Sequence, residues 1–254
     1  MLRNRFTVPG KPYGEDDPQK LRALEEAVTA VRLLELAESP IAGRFDYEHM
    51  KAIHAHVFGD VYEWAGEERV GPVGQFMTKD GHAYYGGGPH LTVAAEQQYA
   101  RLAHKDLLRG LGHEEFVGEL AESWGELNVI HSFREGNTRT QFVFFSQLAQ
   151  QAGYRLDTAQ FAPGAPLRAE FVAARFHSQD TGSNDRLTEV LRRGVVPLGQ
   201  GGQDPGSGAG RSAQLRQASY PRSGAGRASS SGQQQSAGYR PGRGYGTSGP
   251  ELER

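Results

Sequence analysis

His131-Ser132-Phe133-Arg134-Glu135-Gly136-Asn137-Thr138-Arg139-Thr140-Gln141 is the stretch on which the reading of this chain turns. Before it, Phe116, Leu120, Trp124, Leu127 and Ile130 recur at helical spacing from about His113, and after it a helical pattern resumes from about Asn137 to Ala152. The stretch therefore joins the end of one helix to the start of the next. A helix start presents backbone N–H groups without intrahelical acceptors, together with the positive end of the dipole, which favours an anion. Gly136 lets a phosphate approach that backbone closely. A titratable base, a carboxylate, an anion-binding backbone and a cation are gathered in one loop, as phosphate-transfer chemistry requires.

Outward from the loop the chain reads as successive amphipathic helices. Asp17-Pro18 caps a helix carrying Leu21, Leu24, Val28, Val31, Leu34 and Leu36 until Ser39-Pro40 stops it. Asp46 caps a second helix, which ends at Gly59. A third runs from about Leu91 to Leu108, and two more lie near Pro166 to Phe176 and Asp185 to Arg193. Between the second and third, ERVGPVGQFMTKDGHAYYGGGPH (residues 68–90) excludes a helix through its Gly and Pro content. The turn dipeptide Asp80-Gly81, flanked by Phe76, Met77, Tyr84 and Tyr85, predicts a short β-hairpin. The fold class is all-α, a single helical domain with one hairpin beside the loop. Residues 1–16 are a lead, 17–198 the domain and 199–254 a tail.

Bulk properties narrow the function. The chain has 254 residues and a formal charge of −2, with no cysteine, so disulfides, thiolate catalysis and zinc-thiolate sites are excluded. It has no apolar run of about 18 residues, so no membrane contact is expected. The N-terminus has no apolar segment behind its basic residues, which argues against a secretory signal. A cytoplasmic location is the expectation. The tail is rich in Gly, Ser, Gln and Arg and is read as disordered. It holds seven arginines against three acids, a local charge of +4 that leaves −6 for the rest. Its spaced arginines suit nucleic acid or another acidic surface, or an export signal. His49, His54 and His56 have no accompanying carboxylate set and are read as packing or surface residues rather than metal ligands.

The loop, HSFREGNTRTQF over residues 131–142, resembles the HxFx(D/E)GNGRxxR element of the Fic family. The resemblance extends upstream to Tyr62-Glu63-Trp64-Ala65-Gly66-Glu67 and downstream to Phe144-Phe145-Ser146-Gln147-Leu148-Ala149, covering about residues 13–193. It implies a Fic-like helical domain that moves AMP from Mg-ATP onto a Ser, Thr or Tyr hydroxyl of a target protein, as a bacterial toxin or effector. His131 would be the general base, a role that an imidazole suits at neutral pH. Glu135 would hold Mg²⁺. Phe133 would pin the loop, and with Arg134, Gly136, Asn137, Thr138 and Arg139 it would form the nucleotide-binding segment. Within that segment Arg139 would neutralise the leaving pyrophosphate. Gln75, Phe76, Met77, Thr78 and Lys79 would form a flap that registers the target by main-chain pairing.

Two positions depart from the family pattern. Thr138 stands where the family has glycine, and Phe142 where it has a second arginine. The loss of that cation leaves Arg134 or Lys79 as substitutes on the leaving group. The two departures keep a phosphotransferase or another nucleotidyl variant, and a catalytically degenerate Fic interaction module, as alternatives. The family's inhibitory (S/T)xxxE(G/N) helix has only one near match, Thr247 to Glu251 in the tail, followed by Leu252. Any inhibition is therefore expected from a separate antitoxin protein or by another route.

Overall fold

The computed structural model describes residues 3–74, 76–79, 81–162 and 164–199. Gln75 and Asp80 of the expected hairpin, and tail residues 200–254, lie outside the described residues. Helix α1 (Pro18–Glu38) begins where the Asp17 carboxylate accepts the N–H groups of Gln19 at 2.8 Å and Lys20 at 3.2 Å, with Pro18 at the first helical position. Helix α2 (Tyr47–Phe58) is capped by Asp46, which accepts the His49 N–H at 2.9 Å. In the lead, the Arg5 N–H donates to the Val61 carbonyl at 2.8 Å, tying it to the segment after α2.

The hairpin is present. Strands β1 (Phe76–Lys79) and β2 (His82–Tyr85) pair antiparallel, with Phe76 opposite Tyr85 and Lys79 opposite His82. Helix α3 (Pro89–His104) is shorter than the sequence pattern predicts. Asp106, Leu107 and Leu108 take positive φ angles of 50°, 53° and 61°, which break the helix and bring Leu108 into the core, where it is fully buried.

Helices α4 (His113–Ile130) and α5 (Asn137–Gln151) form the centre of the fold. Trp124 of α4 stacks on Phe145 of α5 with ring centroids 4.5 Å apart, and meets Phe142 edge-on at 5.0 Å. Helix α6 (Arg168–Thr181) adds Phe171, whose ring lies 5.1 Å from Trp124 and 5.3 Å from Phe142. Such aromatic pairs supply area burial and directional contacts together. Phe142 therefore belongs to the core, and no cation extends from its position on α5. Strands β3 (Tyr154–Leu156) and β4 (Val195–Pro197) pair antiparallel and join the end of α5 to the end of α7 (Asp185–Gly194). Strands of three residues are too short for an alternating pattern, so this pair has no signal in the sequence. Among the described residues, no helix is long and apolar enough to cross a membrane.

Candidate active site

The corner between α4 and α5 is built from backbone outward. α4 ends at Ile130, and His131 closes it in the left-handed region at φ 51° and ψ 57°. That conformation is uncommon for a side chain with a Cβ and must be held by its surroundings. Arg69 holds it. This guanidinium is 2 % exposed and donates to the carbonyls of His131 at 2.7 Å and Ile130 at 3.2 Å, and also to that of Tyr85 at the end of β2. The Arg69 N–H donates to the Ser132 carbonyl at 2.9 Å. A cation at a helix C-terminus meets the negative end of the dipole, so the same residue caps α4 and ties the hairpin to the corner.

The His131 ring packs against Tyr84 with centroids 4.6 Å apart, and its Nδ1 is buried without a hydrogen-bond partner. Burial, followed by the charges of Lys79, Arg175 and Arg69, pushes its pKa down to about 3, opposed by the Asn128 backbone. The imidazole is thus neutral throughout the physiological range. An NMR titration of the nucleotide-free chain should show no His131 inflection between about pH 5.5 and 7.5, whereas an unperturbed histidine titrates near 6.5. An inflection near 6.5 would contradict the geometry.

The loop that follows is locked by its own side chains. Asn137 Oδ1 accepts the Phe133 N–H at 2.9 Å, and its Nδ2 donates to the Phe133 carbonyl at 2.7 Å. Phe133 is buried and stacks on His54 at 3.9 Å. His54 Nδ1 accepts the Gly66 N–H at 2.8 Å, and its Nε2–H donates to the Glu135 carbonyl at 3.0 Å, which fixes the tautomer. Burial lowers the His54 pKa to about 4. An unfolded histidine takes up a proton near pH 6.5, while this one refuses it until about 4. The stability it contributes is therefore complete above pH 6.5 and is lost as pH falls towards 4. At pH 5 the loss from His54 alone is about 2 kcal/mol, measurable as a lower urea midpoint than at pH 7. A Gln at position 54 should flatten that dependence.

Gly136 opens α5 with φ at 80°, and a Cβ there would lie 2.2 Å from Cζ of Phe58. Gly136→Ala should cost about 3 kcal/mol through strain and overpacking, read as a fall in the denaturation midpoint. No side chain caps the first turn of α5, which leaves backbone N–H groups there without intrahelical acceptors. The Glu135 side chain is half-exposed; its Oε1 accepts the Gly136 N–H at 2.9 Å and lies 3.7 Å from Arg139 Nη2.

Arg139 takes a different direction from the one its place in the loop suggests. Its guanidinium is 7 % exposed, forms an ion pair with Glu25 of α1, donates to Thr29 Oγ1 at 3.3 Å and lies over the Phe58 ring at 4.5 Å. The Tyr62 hydroxyl donates to the same Glu25. Arg134 is exposed and lies over Trp64 at 5.3 Å. On the hairpin, Phe76 is 66 % exposed, Thr78 and Lys79 are exposed, and Met77 is half-buried. Gln75 lies outside the described residues. The hairpin is anchored through β2. Gln179 donates to the Ala83 carbonyl at 2.5 Å, and His82 stacks on Phe176 at 3.9 Å and bonds Asp180 at 2.8 Å. Among the described residues β1 pairs with β2 alone, which leaves its other edge unpaired. A hollow of about 90 Å³ between Leu36, Val143 and Leu156 lies at the C-terminal half of α5, away from this chemistry.

Sequence reasoning missed two residues at the corner. Arg69 stands in an irregular Gly/Pro-rich segment, and Arg175 inside an amphipathic helix, where a lone arginine looks like a solvated charge.

Comparison with known proteins supports the geometry. Residues 44–149 match the model of the Fic/DOC family. The chain is 35 % identical over 164 residues to the probable protein adenylyltransferase y4lH of Sinorhizobium fredii, covering 64 % of this chain and 78 % of that protein. The chain belongs to the Fic/DOC family. It is also 38 % identical over 183 residues to protein adenylyltransferase VbhT of Bartonella schoenbuchensis, covering 72 % of this chain but only 36 % of VbhT. Among solved structures, the N-terminal Fic domain of a VirB-translocated effector from Bartonella quintana, with bound ADP, superposes with a TM-score of 0.67 at 25 % identity. That match covers 78 % of this chain and 91 % of the other. The α4–α5 corner and the hairpin beside it both lie within the residues that match the family.

Proposed function

We propose that this Fic chain transfers AMP from Mg-ATP to a hydroxyl side chain of a target protein. The observation that carries the reading is geometric: His131 is held at the end of α4 by Arg69, and the loop that follows it opens α5 with no side chain capping its first turn. The first turn of α5, opened by Gly136, holds the α-phosphate through backbone N–H groups. The target hydroxyl attacks that phosphorus, the bond to the β-phosphate oxygen breaks, and pyrophosphate leaves. His131 takes the hydroxyl proton at Nε2, because Nδ1 is buried. Glu135 is the residue that would hold Mg²⁺; a half-exposed carboxylate suits a hard cation that keeps waters and shares phosphate oxygens. The metal supplies charge neutralisation on the phosphates. Asn137 keeps the loop in shape through both Phe133 bonds. The open edge of β1 pairs with an extended target segment, and exposed Phe76 offers it an apolar contact.

The names of VbhT and y4lH as adenylyltransferases, and the ADP in the Bartonella quintana domain, support this reading. Incubation of the full chain with Mg²⁺, candidate target protein and ATP labelled at the α or the γ phosphate tests it. Label retained from the α position alone is the expected result. Label retained from the γ position alone would replace AMP transfer by phosphate transfer.

A further inference from the structure

Among the described residues, Arg175 is a cation of this corner whose hydrogen bonds all go to neutral oxygens. It reaches from α6 to the other two elements that form the site. Its Nε donates to Asn128 Oδ1 in the last turn of α4 at 3.0 Å, with Nη2 donating to the same oxygen. Its Nη1 lies 3.4 Å from Thr138 Oγ1 in the first turn of α5. Asn128 in turn donates to Gln179 at 3.2 Å, and Gln179 to the Ala83 carbonyl of the flap. The guanidinium therefore stands where α4, α5 and β2 meet, close enough to His131 for its charge to depress that imidazole.

The surroundings of Arg175 offer it the Phe171 ring at 5.6 Å and neutral oxygens. Among the described residues no carboxylate forms an ion pair with Arg175. Burial, with Arg168 adding a like charge, lowers its pKa to about 10. A charge taken largely out of water without a counter-charge is costly. The neighbouring cations are committed elsewhere: Arg139 to Glu25, Arg69 to three carbonyls, Arg134 to the Trp64 face. Phe142 lies in the core.

We propose that Arg175 is a phosphate-binding residue of the nucleotide site, supplying from α6 the positive charge that faces phosphates held at the first turn of α5. This rests on the nucleotide reading above. Thr138 then has a physical role: its hydroxyl accepts from the guanidinium and sets its direction, which glycine at that position could not do. The site selects nucleoside polyphosphate over nucleoside through this contact.

The test is calorimetric binding of Mg-ATP and of adenosine to the full chain and to Arg175→Met and Arg175→Lys, with thermal melts to establish folding. Arg175→Met should weaken Mg-ATP on the order of 10- to 100-fold, as loss of a charged hydrogen bond does, and leave adenosine unchanged. Arg175→Lys keeps the charge but loses the planar fork, and should weaken Mg-ATP by about tenfold without affecting adenosine. If the methionine variant fails to fold, the lysine variant carries the test. Mg-ATP affinity within about threefold of wild type in a folded Arg175→Met, or an equal loss for adenosine, overturns the proposal. Where only the lysine variant folds, an equal loss of both ligands, or no loss of either, overturns it. Failure of the wild-type chain to bind Mg-ATP overturns the nucleotide reading itself, and the role of Arg175 with it.

Discussion

Replacing His131 by alanine is expected to lower the rate of AMP transfer by about 10²- to 10⁴-fold while the chain stays folded, the range associated with loss of a general base. The backbone of residue 131 is held by main-chain and Arg69 contacts that do not involve the imidazole. The ring itself packs against Tyr84 with Nδ1 buried, and no side chain depends on it for a hydrogen bond among the described residues. The effect should therefore appear in the single-turnover rate and hardly in Mg-ATP affinity. His131→Asn keeps a side chain tolerant of the left-handed conformation and controls for backbone relaxation. Wild-type transfer by a folded alanine variant would remove His131 from the mechanism.

The largest effect on stability is expected at Glu25, far from the loop in sequence. This carboxylate is buried on α1, accepts the Tyr62 hydroxyl and neutralises Arg139. Glu25→Ala removes the nearer carboxylate of a guanidinium that is 7 % exposed and leaves it the half-exposed Glu135 at 3.7 Å; removing one partner of a buried pair costs about 3–5 kcal/mol. Urea denaturation at pH 7 measures it. The double variant Glu25→Ala with Arg139→Met should recover a large part of the loss, because neither charge is then left alone in the interior. A loss below about 1 kcal/mol in the single variant would mean that Arg139 turns to solvent and that α1 does not fix it.

The helices and the corner were legible in the sequence for local reasons. Asp17-Pro18 and Asp46 announce helix starts by side-chain capping, and the apolar stripe ending at Ile130 places His131 at a helix end without any tertiary knowledge. The hairpin was legible from its aromatic residues and turn dipeptide. The β3–β4 pair was not, because each strand is three residues long and the two lie about forty residues apart. The break after His104 was hidden as well, since Leu107 and Leu108 continue an apolar pattern that only the core redirects.

By itself the sequence determined which residues share the loop, that a glycine and a helix start stand beside an imidazole and a carboxylate, and that helices surround them. Each of these follows from neighbours within a few turns of chain. Tertiary structure decided where the charges go. It turned Arg139 towards Glu25, brought Arg69 under the end of α4 to hold His131, and carried Arg175 from α6 to Thr138. The direction of a long cationic side chain is set by which acceptors packing brings within reach, and those acceptors lie 114, 62 and 37 residues away along the chain.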